Sequence, residues 1–219
     1  MAWELARGCA YLASRDARMA AAIAEIGGVT REAQGDLFTG LTQSIVGQQI
    51  SLAAADTVWA RLTSALGEVT PRTLASCPQE ALRQCGMSGR KADYLLGAAR
   101  AVVSGELDLD ALVQADDEAV VAALTKLRGV GRWTAEMLLI FSLCRQDVMS
   151  YDDFGLRKGL CMLYHHKEMP RARFERYRRR FSPYGTAASL TLWAIAGGGA
   201  PLACAMPIAR KEANHAPDA

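Results

Sequence analysis

Residues 127–135 read LRGVGRWTA and are the most informative stretch of the sequence. Gly129 and Gly131 allow a tight turn and a close approach of the backbone to a ligand. The helix that begins after the second glycine presents unpaired N–H groups at its N-terminus, where an anion such as a phosphate binds. The stretch therefore predicts two helices joined by a hairpin that can hold a phosphate group. An ordinary turn between packed helices would contain the same glycines, so the pattern alone leaves both interpretations open.

The sequence on both sides of this hairpin also has a helical pattern. Hydrophobic residues make up 51% of the 219 positions. They are rich in Ala and Leu, and strand-type runs of Val, Ile and Thr are scarce. We therefore expect an all-α fold without a sheet, as one helical domain of two lobes over residues 1–205, with the hairpin near 124–143. Residues 206–219, rich in Ala, Lys and Pro, are expected to be a disordered tail.

Several helix boundaries can be placed from apolar periodicity and turn residues. The pattern predicts helices over five ranges: 118–127, 132–143, 154–164, 171–180 and 187–196. An earlier apolar stripe ends at Gly47, and Ser51 can cap the helix that follows. Gln48 and Gln49 therefore lie in a tight loop between two helices. Asp153 immediately precedes residues 154–164, and aspartate is a favoured N-cap residue.

Charge and composition exclude several classes of protein. The formal net charge of +2 is too small to indicate nucleic acid binding by itself. No apolar run approaches the roughly 18 residues needed to span a bilayer, and Glu4 and Arg7 interrupt the region where a signal peptide would be apolar. The six cysteines are scattered, so no zinc or iron–sulfur site is expected. We expect no membrane partner and an intracellular protein, cytoplasmic in a bacterium or nuclear in a eukaryote.

The segment Leu124–Leu160, which holds the hairpin and the acidic pair Asp152–Asp153, resembles a known enzyme family. It is similar to the helix-hairpin-helix plus Gly/Pro-Asp region of DNA glycosylases, in particular the alkylation-repair enzymes called 3-methyladenine DNA glycosylase II. Similarity extends through Ser44–Ser51 (SIVGQQIS) and Gly86–Leu95 (GMSGRKADYL), and weakly through Tyr184–Trp193. It covers most of residues 37–195 and implies the two-lobed helical glycosylase fold, without the N-terminal sheet domain of some bacterial relatives.

The resemblance implies that Asp153 is the catalytic carboxylate, with Asp152 as its neighbour. Breaking an N-glycosidic bond develops positive charge on the deoxyribose, which a fixed carboxylate stabilises. Relatives that also cut the strand place a lysine nucleophile at the start of the second hairpin helix, where this chain has Trp133. The resemblance therefore implies a monofunctional enzyme that hydrolyses the bond with water.

Further roles follow from the resemblance for the hairpin, the loop after Gly47 and several aromatic residues. The residues implied in DNA binding are Gly129, Val130, Gly131, Arg132, Trp133 and Thr134. A side chain must fill the gap left by a flipped base, and the candidates for this wedge are Gln48, Gln49 and Ile50. The aromatic residues that can line a pocket for a cationic base are Trp133, Tyr151 and Trp193; Trp133 alone would equally suit a core position.

The resemblance also implies partners and a metal ion. The partner is double-stranded DNA that contains damaged bases, and the protein is expected to act as a monomer. No organic cofactor is implied. A sodium or potassium ion is expected at the hairpin, held by the backbone carbonyls of Thr125, Leu127 and Val130. It would bridge protein and phosphate.

One departure from the family pattern lies next to the acidic pair, and two alternative functions remain open. Relatives commonly have a proline just before the acidic pair, whereas this chain has Ser150 and Tyr151, so the loop that aims Asp153 lacks the stiffness of a proline. The basic run Arg171–Arg180 is more typical of a solvated helix face than of a phosphate contact.

The expected substrates are alkylated purines such as 3-methyladenine and 7-methylguanine. The alternatives are a glycosylase for uracil, oxidised purines or mismatches, and a noncatalytic helix-hairpin-helix module that only binds DNA.

Overall fold

The computed structural model describes residues 4–30 and 35–206, and all regular structure in these residues is helical, as the composition predicts. The described helices are α1 (Leu5–Arg15), α2 (Ala17–Ile26), α3 (Leu37–Gly47), α4 (Leu52–Leu66), α5 (Pro71–Ala75), α6 (Gln79–Gln84), α7 (Gly89–Val103), α8 (Leu109–Gln114), α9 (Asp117–Leu124), α10 (Arg132–Phe141), α11 (Phe154–Tyr164), α12 (Arg171–Phe181), α13 (Gly185–Ala196) and α14 (Pro201–Ala205). Apart from Met206, the tail predicted for residues 206–219 lies outside the described residues.

The helix boundaries agree with the sequence patterns except at some ends. Helix α11 has the predicted bounds, and Ser51 caps α4 by accepting a hydrogen bond from the N–H of Ala54. The helix predicted over 118–127 is wrong at its end, because α9 stops at Leu124. After Leu124 the chain forms a 3₁₀-type turn, in which the N–H of Leu127 donates to the carbonyl of Leu124. Helix α10 likewise ends at Phe141 rather than at 143, and α14 was not predicted.

One of two compact units comprises residues 35–148 and contains α3 to α10. Helix α7 packs against α3, α5 and α6, and α3 also contacts α4 and α10. The core of this unit includes the fully buried side chains of Leu41, Ile45 and Leu95. Helices α9 and α10 contact each other and are joined by the predicted hairpin.

The second unit combines residues 4–30 with residues 149–206. Its central element is α13, which contacts α1, α2, α11 and α12. Nine of the twelve residues of α13 are buried, as expected for a helix that is covered on nearly all sides. Helix α11 approaches α13 so closely that a Cβ at Gly159 would overlap the carbonyl of Leu192. This close packing brings the start of α11 next to the side chains of α13.

The part of the chain that the structure describes contains no helix long and apolar enough to cross a membrane.

Candidate active site and DNA-binding hairpin

Asp153 is a buried carboxylate at the N-terminus of α11, and its side chain and backbone are only 8% exposed. Its Oδ1 accepts hydrogen bonds from the backbone N–H of Leu156 at 2.8 Å and from the indole Nε1–H of Trp193 at 2.9 Å. Both partners can only donate, so they fix this oxygen as an acceptor and set its orientation. The predicted N-cap is confirmed, and a second donor is added from α13.

Two glycines in α11 make the contact between Asp153 and Trp193 possible. A Cβ at Gly155 would lie 2.8 Å from Cδ1 of Trp193 and 3.1 Å from Oδ1 of Asp153. At Gly159, one helical turn later, a Cβ would overlap the backbone of α13. Residues four apart lie on the same helix face. Helix α11 therefore presents a glycine face to α13, and this face seats the indole beside the carboxylate.

The loop before Asp153 is held by packing in place of a proline. Ser150 is fully buried, and its carbonyl accepts a hydrogen bond from the N–H of Asp153 at 3.4 Å. The ring of Tyr151 packs edge-on against Phe174, with 5.4 Å between the centroids. Asp152 instead faces solvent, with its side chain 52% exposed and 4.0 Å from the guanidinium of Arg171. The two acidic residues therefore differ in environment, and Asp153 is the one held inside the protein.

The three aromatic pocket candidates also differ in environment. Trp193 is half-buried and bonded to Asp153. The ring of Tyr151 has the guanidinium of Arg171 4.5 Å from its centroid and that of Arg157 at 5.3 Å. Trp133, in the first turn of α10, is 45% exposed. The structure brings Tyr151, Asp152, Asp153 and Trp193 together in the second unit, whereas Trp133 belongs to the unit of residues 35–148.

The two hairpin glycines serve different purposes. Gly129 has a φ of +86°, and a Cβ there would overlap the ring of Tyr94, so glycine is required by the protein itself. Gly131 is the exposed N-cap of α10, and a Cβ there would meet nothing within 4 Å. The backbone at Gly131 is therefore open to a ligand. Val130 and Thr134 are buried and support the hairpin from within.

Arg132 is tied to two carboxylates of its own unit. Its guanidinium lies 2.5 Å from Glu118 and 2.9 Å from Glu136. Hydrogen bonding to Glu118 is the main cause that raises the pKa of Arg132 above its usual range. Because its charge is offset by these acids, Arg132 is a weaker candidate for a phosphate contact than its sequence position indicates.

The loop between α3 and α4 is braced against the hairpin. The side-chain amide of Gln48 donates to the carbonyl of Gly129 at 2.8 Å, and the ammonium of Lys91 donates to the carbonyl of Val46 at 2.7 Å. Burial lowers the pKa of Lys91. Gln49 is exposed with a φ of +58°, and Ile50 is 40% exposed. Gln48 thus anchors the loop, while Gln49 and Ile50 are presented at the surface.

The backbone carbonyls of the hairpin are of a chemical type that binds hard cations. Thr125, Leu127 and Val130 follow the last turn of α9, where helix carbonyls lose their intrahelical partners. The carbonyl of Leu127 accepts one hydrogen bond, from the N–H of Val130 at 3.2 Å, and a carbonyl has two lone pairs. Neutral oxygen donors of this kind suit hard cations.

Several residues of the site were missed from the sequence. Lys91 and Tyr94 lie within the similar segment Gly86–Leu95, but their roles depend on contacts that only the fold creates.

Together, the hairpin and the capped, buried aspartate define a helical protein of the helix-hairpin-helix DNA glycosylase fold. The chain matches the family model described as HhH-GPD superfamily base excision DNA repair protein over residues 42–183. It belongs to this superfamily.

Relatives and solved structures agree with this assignment. The chain is 34% identical to DNA-3-methyladenine glycosylase 1 of Schizosaccharomyces pombe over 161 residues. This alignment covers 71% of each chain. It resembles the crystal structure of DNA-3-methyladenine glycosidase from Bacillus halodurans with a TM-score of 0.76 and 38% identity, over 85% of this chain and 87% of that one. A 3-methyladenine DNA glycosylase of S. pombe in complex with abasic DNA gives a TM-score of 0.76 and 30% identity, over 86% and 95%. Four other relatives are longer, and the chain covers 45% to 58% of their length.

Proposed function

We propose that this protein is a monofunctional DNA glycosylase that removes alkylated purines, such as 3-methyladenine and 7-methylguanine, in base excision repair. The observation that carries the proposal is Asp153, a buried carboxylate held by two N–H donors one helix and one loop after the hairpin. The names of the relatives, which refer to 3-methyladenine, support the substrate class. A solved relative bound to abasic DNA supports DNA as the partner.

The carboxylate of Asp153 acts on the sugar of a nucleotide that has been flipped out of the duplex. As the bond between C1′ and the base breaks, its electron pair leaves with the base and positive charge develops on the sugar. Asp153 stabilises this charge and orients a water molecule, whose oxygen bonds to C1′ as the water gives a proton to the carboxylate. Trp133 stands where a lysine nucleophile would be needed for strand cleavage, so the product is an abasic site in an intact strand.

Alkylated purines suit a site with one carboxylate. They carry a formal positive charge and leave as neutral bases, so no general acid is needed to protonate the leaving group. Aromatic rings attract such cations. Two guanidinium groups already lie near the ring of Tyr151, which makes it the weakest of the three aromatic candidates. Trp133 and Trp193 are better suited to contact a cationic base.

The hairpin would bind DNA independently of its base sequence. The open backbone at Gly131 and the N-terminus of α10 can accept a phosphate, and phosphate contacts carry no base information. The carbonyls of Thr125, Leu127 and Val130 would hold a sodium or potassium ion, which would supply positive charge for the same phosphate. Gln49 would fill the space left by the flipped base, with Gln48 holding its loop.

The test is the release of single lesions from otherwise identical duplexes. Under single-turnover conditions we expect excision of 3-methyladenine and 7-methylguanine to be faster than that of uracil or 8-oxoguanine. Preferential release of uracil or 8-oxoguanine would contradict the alkylpurine assignment while retaining a glycosylase. Binding of every duplex without release of any base would instead favour the noncatalytic DNA-binding module.

A further inference from the structure

A pocket on the second unit is lined almost entirely by positive and hydrogen-bonding side chains. It has a volume of about 250 Å³, and its lining residues are His166, Arg173, Arg176, Tyr177 and Arg180. All but His166 come from α12, at spacings of three and four residues, which places them on one face of that helix. His166 follows the C-terminus of α11 and hydrogen-bonds through Nε2 to the hydroxyl of Tyr177 at 2.8 Å.

The positive charges of this pocket are only partly offset. The guanidinium of Arg180 lies 2.9 Å from the carboxylate of Asp16. Arg173 donates to the backbone carbonyl of Glu168 at 2.8 Å, a neutral acceptor that leaves its charge in place. The side chain of Arg176 is exposed and makes no hydrogen bond or ion pair with the described residues. No acidic residue lines the pocket, so two guanidinium groups have no carboxylate partner there.

The surroundings of His166 disfavour the charged form of its imidazole. Burial lowers the pKa of His166, and repulsion by Arg173, Arg176 and His165 lowers it further. An anion placed among these groups would offset the repulsion and favour the charged imidazole. Elsewhere on α12 the pattern differs, because Arg178 is paired with Glu175 at 2.9 Å and Arg171 lies beside Asp152.

We propose that this pocket binds a phosphate group, and that in this protein the phosphate belongs to the backbone of DNA. Guanidinium groups match the oxygens of a phosphate through paired N–H donors, and the imidazole and phenol add further hydrogen-bonding atoms. Arg176 and Arg180 are exposed, so a polymer backbone can reach the pocket. The pocket residues all belong to the second unit, whereas the hairpin belongs to the unit of residues 35–148. The choice of DNA as the source rests on the proposed function, whereas the choice of phosphate does not.

The first arm of the test measures binding of an undamaged duplex over a range of salt concentrations. Arg176→Gln removes the unpaired pocket charge, and Arg179→Gln is the matched control, because Arg179 is an exposed residue of the same helix outside the pocket. One lost phosphate contact lowers the slope of log K against log salt by about one. We expect this change and a severalfold weaker affinity for Arg176→Gln, and wild-type behaviour for Arg179→Gln.

The second arm adds inorganic phosphate without DNA and follows the pKa of His166 by NMR. We expect phosphate to raise this pKa in the wild type and in Arg179→Gln, but much less in Arg176→Gln. If only this second arm separates the variants, the phosphate site stands and its occupant is a free phosphate rather than DNA. If neither arm separates Arg176→Gln from Arg179→Gln, the proposal is wrong. Undamaged DNA is used, so a failure of base release would overturn the proposed function without affecting this result.

Discussion

At the scale of single residues, the candidate site depends on how Asp153 is held. One donor is the backbone N–H of Leu156 in its own helix, and any good N-cap side chain could accept this hydrogen bond. The other is the indole N–H of Trp193, which lies 40 positions later in the chain. Trp193 therefore acts as a positioning residue for the carboxylate, in addition to its candidate role in the base pocket.

Trp193→Phe tests this positioning role because it keeps an aromatic ring and removes the N–H donor. We expect single-turnover excision of 3-methyladenine to slow by about tenfold, equivalent to about 1.4 kcal/mol in the barrier. The melting temperature and the affinity for undamaged duplex should change little. Trp59→Phe in α4 is the control and should excise at the wild-type rate. Equal rates for the two variants would show that the indole donor is not needed.

Gln49→Ala tests the wedge at the surface of the loop between α3 and α4. Unstacking a base costs a few kcal/mol in a duplex and much less in a single strand. Excision from duplex DNA should therefore slow more than excision from a single strand of the same sequence, as measured by base release from both. The same degree of slowing in both substrates would remove Gln49 from this role.

At the scale of elements, the two glycines of the hairpin have different roles. Gly129 is required for folding, whereas Gly131 is expected to matter only for DNA binding. Gly129→Ala forces an L-residue to a φ of +86° and against Tyr94, so it should lower the free energy of unfolding by about 1–3 kcal/mol. Gly131→Ala has room for its methyl group and should leave the melting temperature unchanged. Only its affinity for duplex should fall, for damaged and undamaged DNA alike. Thermal melts and low-salt gel shifts distinguish these effects, and unchanged affinity for Gly131→Ala would count against the hairpin as the grip.

The elements also show which parts of the site the sequence can predict. The α11 boundaries and the Asp153 cap follow from local patterns, because caps and apolar periodicity act over a few residues. The early end of α9 could not be predicted, because a 3₁₀-type turn and a continuing helix share the same local apolar pattern. The contacts of Gln48 with Gly129 and of Trp193 with Asp153 join residues 81 and 40 positions apart. Such contacts are set by helix packing, here by glycines that let backbones approach.

At the scale of the whole molecule, the described residues form two compact units, and the second joins an N-terminal segment to the C-terminal helices. The sequence pattern contained no direct signal for this joining. It depends on α13, whose nearly complete burial requires α1 and α2 as well as α11 and α12. The hairpin lies in one unit and Asp153 in the other.

A monofunctional enzyme should form no covalent bond to DNA. Trp133 has no amine that could attack C1′, so borohydride should trap no enzyme–DNA adduct during excision of 3-methyladenine. The measurement is a denaturing gel after reduction, with a strand-cleaving glycosylase as the positive control. Efficient trapping of the wild-type protein would show that another residue acts as an amine nucleophile.

The most direct measurement compares base release from methylated duplex DNA by the wild type, Asp153→Asn and Asp152→Asn. Asparagine can still cap α11 and accept from Trp193, but it carries no charge to stabilise the developing cation. We expect Asp153→Asn to retain the fold and the affinity for DNA and to lose excision by a factor of a hundred or more, on the order expected for a main electrostatic group. Asp152→Asn should release 3-methyladenine at close to the wild-type rate. Near-normal single-turnover release by Asp153→Asn, or a larger loss in Asp152→Asn, would contradict the assignment of Asp153 as the catalytic carboxylate.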